Sequence, residues 1–297
     1  MPDVDLKTIA TAEPGVRVDP SSGAKACYTD RDGVPGVIVR NVGKGRTVYL
    51  NLHLTDYHRW RLRPPEGAGS LALFSALTTM AGIVPEYRVA RPDGTDLPAV
   101  EIHAFVNGPA RILGIQRNPQ LRVGELGPPR YRSNRALQQE ERVQVDLGAR
   151  YAVYDIRAGR SLGRRRILDL TLDPWRPSLL ALFPRAVRGI ALNAPERARR
   201  GAAIRYRVSL DAPQPAAKHA YRIEVAGPDG NPIPLYSRNI LAARGKASGV
   251  LHLALSDPPG RYMLTARDIA TGKTARCIVR VDSPPQRRQK ERLDVHT

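Results

Sequence analysis

The chain has 297 residues and a formal net charge of +19; 42% of its residues are hydrophobic but only 5% aromatic. That length provides two or three domains with cores of their own, and no run of about 18 apolar residues is present to span a bilayer. With 25 Gly and 26 Pro, the composition favours short strands and turns over long helices.

Residues 1–35 are turn-rich, and Met1-Pro2-Asp3-Val4-Asp5 lacks the basic start and apolar core of a signal peptide, which leaves the compartment open. Val16-Arg17-Val18 and residues 24–28 predict short strands, with turns at 19–23 and 29–33. Asp30, Asp32 and Gly33 share the opening spacing of a calcium loop but lack its downstream Glu, so a plain turn is expected. Val37-Ile38-Val39 and residues 47–52 flank the glycine-rich stretch 41–45 and predict a β-hairpin. Lys44 and Arg46 beside that turn are candidate anion contacts. A phosphate-binding loop would open a helix and continue as GKS or GKT, which this one does not.

Tyr57, His58 and Trp60 lie in the most aromatic segment and are candidate carbohydrate contacts, because a sugar ring offers an apolar C–H face to an aromatic plane; Trp175 is a fourth. Ser70 is the expected cap of a short helix whose apolar face carries Leu73, Phe74, Leu77, Met80 and Ala81 and which ends at Gly82. From residue 89 the period becomes alternating. Strands are expected at 100–106, 111–117, 142–147, 151–157, 167–172 and 178–183, with Asn107-Gly108 as a two-residue hairpin turn. Residues 189–282 repeat the design, with strands at 202–210, 219–225, 250–255 and 274–281 and a turn at 227–232. Residues 284–297 read as a disordered basic tail.

Two stretches carry a resemblance. Residues 36–51, with Ala81-Gly82-Ile83-Val84-Pro85, resemble the end of the amidotransferase-like (flavodoxin-like) domain that follows the catalytic barrel in family 42 β-galactosidases. Residues 103–117, Val153-Tyr154-Asp155, Gly159, Gly163 and residues 179–184 resemble the small β-domain that ends such enzymes. The resemblance implies a mainly β chain with a small α/β part: a partial flavodoxin-like unit (1–88), then two antiparallel β-sandwich domains (89–188 and 189–283, the second immunoglobulin-like).

It also implies a non-catalytic C-terminal region of a β-galactosidase-like glycoside hydrolase, whose partner is a catalytic barrel domain or subunit, or a second copy of the chain. The acid pair of a retaining glycosidase needs two carboxylates about 5 Å apart, and Glu66, Glu86, Glu101, Glu125, Glu140 and Glu141 show no such pairing. With no G-x-S-x-G and no CxxC, the chain is not read as an enzyme in its own right, and no metal or cofactor is expected. The alternatives are a free-standing carbohydrate-binding or adhesion β-sandwich and a basic nucleic-acid binder. Arginine clusters at 164–166, 197–200 and 286–292 but is otherwise spread along the chain, which favours non-specific polyanion binding. Cys27 and Cys277 are expected to be small buried hydrophobes without a disulfide, and the six histidines to be ordinary.

Overall fold

The computed structural model describes Leu6, residues 9–55, Tyr57, and residues 68–97, 100–117, 139–212 and 217–282. The described chain is mainly β and groups into two units, one of residues 1–102, 115–148 and 167–177, the other of residues 103–114, 149–166 and 178–297.

In the first unit β1 (Ala24–Thr29), β2 (Pro35–Val42) and β3 (Gly45–Leu50) form an antiparallel sheet in that order. The predicted hairpin is β2 and β3, closed by Gly43 and Lys44; Gly43 takes φ 57°, the left-handed backbone that so tight a loop requires. Val37 is fully buried and packs with Leu6, Ile9, Leu52 and Leu73, the last from α1 (Ala68–Met80). Asn51 is buried beneath them: its Oδ1 accepts from the Glu13 amide at 2.8 Å, and its Nδ2 donates to the Glu13 and Pro35 carbonyls. Asp30 makes the plain turn. It accepts from Thr11 Oγ1 and from the amides of Asp32 and Val34, and these bonds, Thr11 foremost, hold its carboxyl below the ordinary range.

Several expectations are corrected here. Val16-Arg17-Val18 lies outside any strand, the Arg17 guanidinium folding back onto the carbonyls of Pro14 and Val16. Ser70 sits buried inside α1 instead of capping it, while Gly82 does end the helical segment at φ 73°. Cys27 is exposed, because it is the extra residue of a bulge between Ala26 and Tyr28 and leaves the ladder. The parallel strands of a flavodoxin-like unit are not among the described residues of 1–88.

The alternating segments follow as β4 (Arg88–Ala90), β5 (Val100–Asn107), β6 (Ala110–Arg117), β7 (Glu141–Asp155), β8 (Arg160–Leu172) and β9 (Ser178–Phe183). The two strands expected at 142–147 and 151–157 are one, β7, with Gly148 inside it at φ 72°. β8 likewise begins at Arg160, ahead of the strand expected at 167–172, because the chain reverses at Gly159 and resumes pairing at once.

In the second unit β10 (Gly189–Asn193), β11 (Arg197–Arg199), β12 (Ala203–Asp211), β13 (His219–Ala226), β14 (Arg238–Ala242), β15 (Lys246–His252), β16 (Gly260–Asp268) and β17 (Thr274–Asp282) form two sheets, ordered β10-β12-β15 and β11-β17-β16-β13-β14. Ile204 and Tyr206 from the first share one core with Ile223, Tyr262, Leu264 and Val279 from the second, so this part is a β-sandwich. Alternate residues of β12, β13 and β16 point into that core, the two-residue period read from the sequence.

Burial in and around this core raises the pKa of Tyr154, Tyr206, Tyr221 and Tyr262 above the ordinary 10.0, Tyr262 to about 12. A folded-state pKa raised in this way contributes stability that is intact below pH 10 and is lost as pH rises from 10 through about 12. Urea midpoints followed by circular dichroism are therefore expected to fall across that window, and to fall less steeply in Tyr262→Phe. Parallel curves for the two proteins would show that Tyr262 does not contribute.

Candidate functional site

The structure does not assemble the residues singled out from sequence. His58 and Trp60 lie outside the described residues. The Tyr57 ring packs against Phe74 with centroids 4.7 Å apart, so at least one of its faces is occupied by protein. Trp175 stands 63% exposed in a turn where Asp173 Oδ1 accepts from the amides of Trp175 and Arg176. Lys44 and Arg46 stay exposed at the hairpin tip, the Arg46 Nε donating to Asn41 Oδ1 at 3.2 Å. These are separate surface features.

A buried polar cluster was missed by sequence reasoning. His219 Nδ1 lies 2.8 Å from Asp268 Oδ1, and Thr271 Oγ1 donates to Asp268 Oδ2 at 2.6 Å. All three residues are at most 2% exposed. The His219 ring stacks with Phe183 and Tyr221, with centroids at 5.4 and 6.3 Å. Hydroxyl, carboxylate and imidazole are the components of a nucleophilic triad, but the order is wrong for one. The carboxylate stands between the other two, so the hydroxyl proton faces Asp268 and not the imidazole, and the buried group is closed to substrate. The cluster is structural. Among the described residues no three His, Cys, Asp or Glu side chains converge as metal ligands would. A cleft of about 370 Å³ beside Pro228, Asp229 and Pro258 offers one carboxylate, already bonded to Asn231.

The concentrated chemistry lies on the outer face of the five-stranded sheet. Ala198, Ala275 and Cys277 turn toward the core, so their strand neighbours turn outward. Register places Arg197, Arg280 and Arg261 side by side across β11, β17 and β16. The next row holds Ile278, Met263 and Ala226, and the one after it Arg276, Thr265 and Glu224. A fourth row runs Thr274, Arg267, Arg222 and Asn239. With Arg199 opposite Asp282, seven guanidiniums share this face with the carboxylates of Glu224 and Asp282.

Asp282 Oδ2 accepts from Arg197 Nε and Nη2 at 3.0 and 2.9 Å, its Oδ1 lies 3.6 Å from Arg280, and Glu224 is 3.6 Å from Arg222. Among the described residues no carboxylate pairs with Arg261, Arg267 or Arg276, and all three are exposed. Like charges directly opposed across a sheet are destabilising. The Arg261–Arg280 and Arg222–Arg267 pairs are such contacts, and an anionic ligand would relieve both. The signal was present in the sequence as arginine at alternate positions (261 and 267, 276 and 280), but only register brings those strands together.

No family model and no curated protein matches this chain. Among solved structures it is similar to the CARDB domain of the PF1109 protein from Pyrococcus furiosus, in complex with di-metal ions, at 11% identity and TM-score 0.23, over 32% of this chain and 86% of that one. It is similar to Salmonella alpha-2-macroglobulin reacted with methylamine at 12% identity and TM-score 0.28, over 66% of this chain and 17% of that one, so it spans less than a fifth of the macroglobulin. Chicken CNTN1 FN1–FN3 domains match at 9% identity and TM-score 0.26, over 67% of this chain and 79% of that one. Likeness at these scores carries no argument about function, and the β-sandwich assignment rests on the chain's own two facing sheets.

Proposed function

We propose that this chain is a non-catalytic β-sandwich binding module that holds an extended polyanion against the outer face of β11-β17-β16-β13-β14. The observation that supports the reading is the cross-strand register of Arg197, Arg280 and Arg261 and of Arg267 and Arg222, with Arg261, Arg267 and Arg276 given no carboxylate by the described residues. Guanidinium forks suit phosphate, sulfate and carboxylate alike. Neighbours within a row stand about 4.8 Å apart across strands, and about 3.4 Å per residue along a strand makes the array about 20 Å long from Arg261 to Arg267.

The test is inorganic polyphosphate, a probe with neither sugar nor base, titrated at graded salt. Each phosphate neutralised contributes roughly 0.7 to the slope of log K against log salt on a single-stranded polyanion. The triple variant Arg261→Ala/Arg267→Ala/Arg276→Ala is expected to lower the magnitude of that slope by about 2. Arg205→Ala/Arg207→Ala, on the outer face of β12 in the other sheet, serves as the control and is expected to leave it nearly unchanged. Equal losses in both variants would mean that the affinity comes from diffuse charge, and the proposal would fail.

A further inference from the structure

We infer that the polyanion is an acidic polysaccharide, carboxylated or sulfated; this deepens the polyanion-binding reading and rests on it. Three features of the face discriminate among polyanions. The first is what lies between the arginine rows. Met263 and Ile278 are direct cross-strand partners, 37% and 46% exposed, and with Ala226 they form an apolar shelf across the middle of the array. A pyranose ring has an apolar C–H face to lay on such a shelf while its charged substituents reach the guanidiniums on either side. A bare phosphate chain has nothing to place there.

The second is the absence of any aromatic residue from the outward positions of the five strands. Proteins that hold single-stranded nucleic acid on a sheet stack its bases on aromatic rings, at about 1–3 kcal/mol per base. A flat sheet also offers no helix or ribbon to enter a duplex groove.

The third feature is the placement of acceptors. Glu224, whose side chain is 54% exposed, stands in the row between Arg267 and the shelf, beside Thr265. A carboxylate there repels any polyanion, yet it accepts hydrogen bonds from the free hydroxyls that a carboxylated sugar unit carries beside its charge, which a phosphate chain lacks. Thr265, Thr274 and Asn239 add neutral donors and acceptors in the same rows. A DNA backbone carries no free hydroxyl within the chain, and RNA carries one 2′-hydroxyl per nucleotide.

The experiment titrates the full chain, at about 0.15 M salt, with polygalacturonate, dextran sulfate, oligo-dT and inorganic polyphosphate, with uncharged dextran as the blank. At least one acidic polysaccharide is expected to bind about tenfold more tightly per charge than oligo-dT. Glu224→Ala is expected to weaken that polysaccharide by about tenfold, the loss of charge-assisted hydrogen bonds, while tightening oligo-dT and polyphosphate. Met263→Ser/Ile278→Ser is expected to weaken the polysaccharide and leave polyphosphate unchanged; both positions are surface-facing, so the variant is expected to fold. If oligo-dT binds as tightly and Glu224→Ala tightens every probe, the polysaccharide is excluded while the polyanion reading stands. If none of the four probes binds, both fall together.

Discussion

Replacing Asp268 by alanine is expected to cost about 2–6 kcal/mol, roughly 1–3 kcal/mol for each of two buried polar groups left without its partner. The carboxylate is fully buried and serves two donors, His219 Nδ1 at 2.8 Å and Thr271 Oγ1 at 2.6 Å. Without it both polar groups remain inside the fold with no acceptor, and neither has a route to water. His219 Nε2 already lacks a partner in this apolar setting, so the imidazole has no second bond to fall back on. Stacking of Phe183 and Tyr221 on the ring restricts its freedom to turn outward. Asp268→Asn keeps one acceptor oxygen and the side-chain volume, so its loss is expected to be smaller, about 1–3 kcal/mol. Asp282→Ala removes a half-buried surface carboxylate whose Arg197 partner is exposed, and is expected to cost less than about 1 kcal/mol. Urea unfolding of the three variants ranks them. An Asp268→Ala midpoint indistinguishable from that of Asp282→Ala would show that the buried cluster contributes nothing to stability.

The contrast between those two aspartates shows what the sequence held and what it did not. Both sit near the ends of apolar alternations, Asp268 closing β16 and Asp282 closing β17, and nothing local tells them apart. The alternation itself was legible: β5, β6, β9, β12, β13 and β17 lie within a few residues of the segments read from periodicity, and the β5–β6 hairpin turns at Gly108-Pro109, one position past the expected Asn107-Gly108, with Gly108 at φ 60°. β4, β11 and β14 run only three to five residues, too short to carry a periodic signal of their own, and are stabilised by their neighbours.

The hairpin that carries the glycosidase-like resemblance was read correctly as a hairpin. The described residues do not show the flavodoxin-like unit inferred from it, and a hairpin of apolar β-branched strands is common to many folds. For the candidate site the gap is register. Arg261 and Arg280 are nineteen positions apart and look scattered along the chain, yet they are direct partners in the sheet. Sequence shows which face of a strand a residue takes; pairing decides what stands beside it.

Gly272→Ala is expected to destabilise the protein by about 3 kcal/mol, from two separate effects. Gly272 holds φ 72°, and a side chain in the left-handed region costs roughly 1–2 kcal/mol. A methyl group at this position would also overlap the carbonyl oxygen of Gly159, itself a glycine at φ 60° in the turn ahead of β8. Relieving that overlap requires backbone, not a flexible side chain, to move, and forced displacements in packed regions cost roughly 1–3 kcal/mol. The two turns therefore meet glycine against glycine because Gly272 has no room for a Cβ; one on Gly159 would make only an ordinary contact, 3.6 Å from the Gly272 Cα. The Gly272 turn also holds Thr271 against Asp268, with the Gly272 amide donating to the Asp268 carbonyl at 2.8 Å, so a shift here loosens the buried cluster as well. Gly230 separates the two effects: at φ 81° it carries the same backbone penalty, but open space surrounds its Cβ direction. Gly230→Ala is expected to lose only the backbone part, about 1 kcal/mol. Urea midpoints decide the matter. If both alanine variants lose the same amount, the close approach of Gly159 and Gly272 constrains nothing; a loss for Gly272→Ala at least twice that for Gly230→Ala establishes it as a packing contact on which the second unit depends.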